Sequence, residues 1–169
     1  MKVTALMFGL DLENVSLTLP RLPCEGETDG ITALAEYCRD CFADYDSERM
    51  KRLIKKKMQL GEIYIISHKD KTVGFVIFSK KNKTLDYIAV SSDYRNSGIA
   101  SRLMVTAMAQ FDIGDELSIV TFRDDHPQSD GAKRLYSKFG FGNPKNIVVQ
   151  GIPLTKITAI IPDKALTTE

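Results

Sequence analysis

The spacing of apolar positions changes several times along the chain, and each change predicts an element. Ile31, Leu34, Ala35, Cys38, Phe42 and Tyr45 share one helical stripe, which predicts a helix from Ile31 to Asp44. Met50, Leu53, Ile54 and Met58 give an apolar face to a second helix, Ser47 to Leu60. Its other faces carry Arg49, Lys51, Arg52, Lys55, Lys56 and Lys57. Strand-like runs follow at Glu62–Ser67, Val73–Ser79 and Thr84–Val90. The polar turns between them, His68–Lys71 and Lys80–Lys83, are short enough to predict antiparallel neighbours.

Helical spacing returns at Ile99, Leu103, Met104, Ala107, Met108 and Phe111, so Ile99–Phe111 is read as a helix. Leu117–Phe122 is a strand. It lies parallel or near-parallel to the preceding one, because a helix joins them. Gly131–Phe139 is a further helix, with Ala132, Leu135, Tyr136 and Phe139 on one face and Gly140 as its C-cap. Asn146–Gln150 and Leu154–Ile161 are closing strands, and the apolar stretch Ile157–Ile161 is either a core strand or one that pairs across a homodimer. At the start, Val3–Phe8 and Val15–Leu19 are strand-like and Pro20–Gly30 is a loop. The expected fold is α/β, with a mixed, mostly antiparallel central sheet of six to seven strands flanked by about four helices. The expected organisation is a single domain over residues 1–169.

Composition narrows the classes. The chain is 43% hydrophobic and 27% charged with a net charge of +1, which suits a globular protein and gives nucleic-acid binding no support. The basic helix has no interleaved aromatics for base stacking, so a solvated face is expected, with a phosphate or acidic-partner contact as the sharper alternative. No run of 18 apolar residues predicts a membrane span. Met1–Leu10 runs into Asp11-Leu12-Glu13-Asn14 with no small-residue cleavage site, from which a cytoplasmic location is expected. Three cysteines argue against a disulfide framework. Cys38 and Cys41 form a C-x-x-C spacing inside a helical stripe. A zinc site would need two more ligands from Cys24, His68 and His126, so free thiols and no metal are expected.

The segment richest in chemistry is Leu85-Asp86-Tyr87-Ile88-Ala89-Val90-Ser91-Ser92-Asp93-Tyr94-Arg95-Asn96-Ser97-Gly98-Ile99-Ala100. A strand ends, a polar turn follows, and a helix begins at once. A helix start directs unpaired N–H groups and the positive end of its dipole at one spot. Gly98 and Ala100 leave room for an anion to approach the backbone, and Arg95 adds a full charge. The string is neither a phosphate-binding Gly-Lys-Ser/Thr loop nor a G-x-G-x-x-G turn.

Arg95-Asn96-Ser97-Gly98-Ile99-Ala100 resembles the Q/R-x-x-G-x-G/A signature of the Gcn5-related N-acetyltransferases (GNAT superfamily). Gly131-Ala132-Lys133-Arg134-Leu135-Tyr136-Ser137-Lys138-Phe139-Gly140-Phe141 resembles that family's A-x-x-L-Y-x-K-x-G-F. The resemblance covers Gly61–Phe141 closely. It implies acetyl-CoA as co-substrate, with the backbone of Ile88, Ala89 and Val90 pairing with the pantetheine arm at a splayed strand edge. It implies that Arg95, Asn96, Ser97, Gly98, Ile99 and Ala100 hold the pyrophosphate, assisted by Ser101 and Arg102. A backbone N–H near Val90 would polarise the thioester carbonyl, and Tyr136 would protonate the leaving thiolate. Ser129 stands where many members carry an asparagine that contacts the cofactor, and it also reads as an N-cap.

The implied reaction is transfer of an acetyl group to a primary amine by direct attack in a ternary complex. A CoA-binding sensor or scaffold without turnover is the alternative. Asp86 is the candidate base, set against a solvated strand carboxylate, with Leu85 and Tyr87 expected on the opposite face. Asp124, Asp125 and His126 follow a strand end, where sites collect. Asp44, Asp46, Glu48, Asp124, Asp125 and Asp130 would make an acidic rim for a cationic small-molecule or peptide amine.

Overall fold

The computed structural model describes residues 17–127 and 129–163. The expected strand Val3–Phe8 and the start of Val15–Leu19 lie outside them. Leu17 and Arg21 bridge His68 and Ile65 at one sheet edge.

The helices are α1 (Thr28–Tyr37), α2 (Ser47–Leu60), α3 (Ile99–Met108) and α4 (Ser129–Lys138). The strands are β1 (Ile63–His68), β2 (Lys71–Ser79), β3 (Thr84–Val90), β4 (Glu116–Phe122), β5 (Gly142–Val149) and β6 (Ile152–Ile160). They form one six-stranded sheet in the order β1-β2-β3-β4-β6-β5, antiparallel except for β3 with β4. β6 therefore lies between β4 and β5, with β5 paired to it as far as Thr158.

α1 and α2 cover one face, burying Ile31 and Ile54 against Ile65, Phe75 and Ile77. α3 and α4 belong to the other, with Leu103, Met104 and Tyr136 packed with Val76, Phe78 and Ile119. Each such side chain contributes roughly 1.5–3 kcal/mol on burial. Gly74 on β2 lets α3 sit close: a Cβ there would stand 2.7 Å from Ile99 Cγ2 and 3.2 Å from Leu103 Cδ1. This contact fixes where α3 starts.

α1 is shorter than the stripe predicts. It ends at Tyr37, and a 3₁₀ turn over Arg39–Cys41 carries the chain away. Phe42 is already extended and packs edge-on against Tyr87, centroids 5.2 Å apart. The periodicity continued because the loop folds back onto the same core. α2 matches its expectation, started by Asp46, whose side chain accepts from the Arg49 amide at 2.6 Å, and ended by Gly61 at φ 65°.

Two sequence expectations are corrected by packing. Asp86 is the extra residue of a β-bulge, since Ile77 pairs with Tyr87 and the next residue, Phe78, with Leu85. Leu85 consequently joins the α3 side and Tyr87 the α1 side, rather than sharing a face. The basic face of α2 is not wholly solvated either, because Lys57 is only 6% exposed.

Candidate active site

β3 and β4 touch at one register pair, Thr84 with Ser118, tied by the Ser118 amide to the Lys83 carbonyl at 3.0 Å. Beyond it the strands part. The Ser91 amide donates to Val73 on β2 at 2.9 Å. Alternation along an antiparallel strand then turns the amides of Ile88 and Val90 to the opposite, open edge. The Val90 carbonyl points the same way, accepting from Arg95 Nε at 3.4 Å.

The gap is a cavity of about 810 Å³. Its β3 wall includes Asp86, Ile88, Ala89 and Val90. Arg95, Asn96, Gly98, Ile99, Ala100 and Ser101 form one end, and Tyr136 lines it from α4. Of the residues expected to meet the cofactor, Ser97 and Ser129 are not in this lining. Ser97 Oγ donates to the Tyr94 carbonyl. Ser129 is buried as the first residue of α4 rather than its cap, and its Oγ donates to the Asp124 carbonyl at 3.2 Å. Arg102 does not line the cavity either. It is 2% exposed, its Nη2 lacks a hydrogen-bond partner, and burial lowers its pKa.

The turn at the end of the cavity is held in unusual backbone geometry. Asn96 (φ 59°) and Gly98 (φ 78°) are both left-handed, and no heavy atom would crowd a Cβ on Gly98. The Arg102 amide makes the first helical bond, to the Gly98 carbonyl at 3.0 Å, so the amides of residues 99–101 precede the ladder. Tyr94, within the turn, is anchored to β1 through its hydroxyl, 2.6 Å from His68 Nδ1.

Tyr136 is positioned by the local sequence after it. Gly140, at φ 81°, reverses the chain, and the Phe141 amide reaches back to the Tyr136 carbonyl at 3.1 Å. Phe141 then packs against the Tyr136 ring, centroids 6.2 Å apart. Burial, with a smaller contribution from Cys41, pushes the Tyr136 phenol up to about 12, so it keeps its proton at neutral pH.

Asp86 is partly exposed but not free. Its Oδ1 accepts from Thr84 Oγ1 at 2.5 Å and its Oδ2 lies 3.3 Å from Lys57 Nζ. The same ammonium pairs with Glu62 Oε2 at 2.8 Å and donates to the Phe78 carbonyl. Burial works against the ionised Glu62, but hydrogen bonds from Lys57 and from the Lys80 amide outweigh it and lower its pKa. Sequence reasoning missed Lys57 as part of this site. The signal was present, because Lys57 follows Met50 by seven residues and Ile54 by three, on the buried face.

The acidic rim is compensated in part. Asp44 pairs with Arg49 at 3.0 Å and Asp124 with Lys133 at 3.0 Å, while Asp46 caps α2. His126 stacks on Phe122, centroids 3.8 Å apart, and lines a second cavity beside Arg39 and Tyr45, not the first. Among the described residues, no group of three His, Cys, Asp or Glu is placed to hold a metal, and no helix is long and apolar enough to cross a membrane.

Comparison with known proteins now bears on this geometry. Residues 59–142 match the acetyltransferase (GNAT) domain family. Ard1 from Thermoplasma volcanium shares the fold with a TM-score of 0.67 at 19% identity, over 86% of this chain and 98% of that one. YncA from Salmonella typhimurium, solved with its cofactor acetyl-CoA, gives 0.65 at 12% identity over 89% and 96%. Arabidopsis thaliana Naa50, in complex with the bisubstrate analogue CoA-Ac-MVNAL, gives 0.64 at 16% over 86% and 99%. At such identities these likenesses speak for the fold alone. No curated protein matches the sequence. The matched stretch runs from the end of α2 to the start of β5 and contains the parted strands, the left-handed turn and Tyr136, and the chain belongs to the Gcn5-related N-acetyltransferase superfamily.

Proposed function

We propose that this chain transfers the acetyl group of acetyl-CoA to a primary amine by direct attack in a ternary complex. One observation carries the reading: β3 and β4 part after a single pair, which leaves the Ile88 and Val90 amides facing a cavity that ends at a left-handed turn and a helix start.

In this reading the pantetheine arm adds to the open edge of β3 as a short strand, using the Ile88 and Val90 backbone. The pyrophosphate lies at the start of α3, held by the amides after Gly98 with Arg95 nearby. An open-edge amide of β3 meets the charge that develops on the thioester oxygen. The amine attacks the carbonyl carbon, the C–S bond breaks, and the Tyr136 phenol gives its proton to the leaving sulfur. Burial keeps that phenol protonated, and its place in the cavity lining is what supports the role. Both Asp86 oxygens already have partners, so Asp86 acts as a fixed carboxylate that draws the ammonium in, and its proton leaves through water. A peptide or small-molecule amine would meet a rim on which Asp44 and Asp124 are paired and Asp46 serves as a cap. The peptide-bearing analogue held by Naa50 supports the peptide class.

The test compares melting temperature with and without acetyl-CoA for wild type, Gly98→Asn and Gly98→Asp. Both replacements tolerate a positive φ and are nearly isosteric, so they differ chiefly in charge. A ligand at a hundred times its Kd adds about 2.7 kcal/mol of stability. Wild type should shift upward, Gly98→Asn partly, and Gly98→Asp least. Equal shifts in the two variants would remove the pyrophosphate from this turn. Thiol release against a panel of amines then separates an enzyme from a sensor that binds without turnover.

A further inference from the structure

The two cysteines of the C-x-x-C spacing become walls of the cleft. Cys38 caps the end of α1 and is buried, while Cys41 closes the following turn and is partly exposed. Both line the cavity. The Cys41 amide donates to the Cys38 carbonyl at 2.8 Å. A turn of that kind holds the two Cα atoms within about 7 Å, which overlaps the range a disulfide spans.

Their sulfurs converge on one corner of β3. Cys38 Sγ lies 3.9 Å from the Val90 carbonyl, and Arg95 Nη2 lies 4.0 Å from Cys41 Sγ. A partly exposed sulfur beside a cation is the setting that reactive cysteines share. Val90 belongs to the strand edge assigned above to the pantetheine arm, and that arm ends in a thiol. The third cysteine, Cys24, is exposed and outside the cleft.

We propose that Cys41 is a site of thiol–disulfide exchange with CoA disulfide, the oxidised dimer of the cofactor's own thiol, and that Cys38 resolves the adduct. The inference rests on the cleft being a CoA site. With one half of CoA disulfide in the cleft, the Cys41 thiolate attacks its sulfur. The Cys41–S–S–CoA bond forms, the original S–S bond breaks, and the other CoA leaves as a thiolate that takes up a proton. Cys38 then loses its proton and attacks the Cys41 sulfur. The Cys38–Cys41 bond forms and the second CoA leaves as its thiol. The two cysteines supply the two electrons that reduce CoA disulfide to two thiols, so no other oxidant is needed. Burial, and secondarily Cys41, pushes the Cys38 thiol up, so Cys38 is the less ready of the two to attack first.

The experiment incubates the reduced full chain with CoA disulfide and maps each cysteine by peptide mass spectrometry, beside an acetyl-CoA melting shift on the same preparation. Wild type should yield a peptide joining Cys38 to Cys41. Cys38→Ser should accumulate CoA on Cys41 at roughly ten times the rate on Cys24, and excess acetyl-CoA should suppress it. Equal rates at Cys24 and Cys41, or indifference to acetyl-CoA, would reduce the chemistry to exposure alone and overturn the proposal. A melting shift without any Cys41 adduct would overturn it while leaving the CoA reading intact. Loss of both would take down both. If Cys38→Ser does not fold, rapid alkylation of wild type during the reaction reports the same rate ratio.

Discussion

Replacing Lys57 with methionine tests a buried three-way contact. Methionine keeps most of the unbranched apolar stem but removes the ammonium that stands between Glu62 (2.8 Å) and Asp86 (3.3 Å) and donates to the Phe78 carbonyl. Lys57 and Glu62 are 6% and 7% exposed, so water cannot replace the lost charge. Removing one partner of a buried pair typically costs about 3–5 kcal/mol, because the remaining charge is left uncompensated. The freed carbonyl adds to that, though not independently. At roughly 2–4 °C per kcal/mol for a chain of this size, the Tm should fall on the order of 6–20 °C. The loss should also depend on pH. Without the cation, the buried Glu62 costs least when protonated, so the gap between wild type and Lys57→Met should narrow as pH falls from 8 toward 5. Urea unfolding of wild type, Lys57→Met, Glu62→Gln and the double variant gives the coupling directly. A loss below about 1 kcal/mol, the range of exposed pairs, or a loss constant with pH, would show that the contact is only packing.

Tyr136→Phe should leave the fold and acetyl-CoA binding within twofold of wild type while lowering kcat by about 10²–10⁴, the range for a lost general acid; unchanged kcat in a steady-state assay would exclude the phenol from proton transfer. Gly74→Ala forces a methyl to 2.7 Å from Ile99 Cγ2, and should cost about 1–3 kcal/mol of overpacking in urea unfolding and weaken acetyl-CoA binding, because α3 begins at Ile99; no change in either would separate the glycine from the site. Glu62 and Glu27 both have lowered pKa values, Glu62 despite burial and Glu27 chiefly through Arg21. Their stabilisation is complete above 4.5, the ordinary glutamate value, and disappears as pH falls through their lower folded values. Tm should therefore drop below that pH, less steeply in Glu62→Gln, and parallel curves would refute the assignment.

The parts of the site that could be read from sequence are those built by contiguous backbone. Thr84–Val90, the turn to Gly98 and the start of α3 came out at their expected positions, because a strand, a left-handed glycine and a helix start are each specified within a few residues. Gly140 likewise marked the end of α4 and, through it, the seat of Tyr136. The misreadings share another cause. Phe42 and Tyr45 kept the helical spacing of α1 although the chain had left the helix, because spacing reports which core a side chain reaches and not the backbone that takes it there. Lys57 was grouped with its charged neighbours although its angular position belonged to the buried face. The bulge at Asp86 has no local signature, and it inverted the relation of Leu85 to Tyr87.

The same distinction explains why the cofactor is easier to name than the acceptor. In the proposed reading the cofactor side would be recognised through amides of one uninterrupted stretch, and amides carry no side-chain identity to misread. In the proposed reading the acceptor side would be assembled from Phe42 and Asp44 after α1, Asp86 on β3, and Val149 and Ile152 at the β5–β6 turn, segments that lie more than a hundred residues apart at the extremes. Which of their charges remain available is decided only by packing: Asp44 is taken by Arg49 and Asp86 shares Lys57 with Glu62. Two carboxylates facing one ammonium leave the cluster with a surplus negative charge beside the cavity. That surplus, more than the count of acids along the rim, is what an incoming ammonium would meet, so Asp86→Asn should raise KM for the amine more than KM for acetyl-CoA. An equal rise for both substrates in initial-rate kinetics would place the charge outside acceptor recognition.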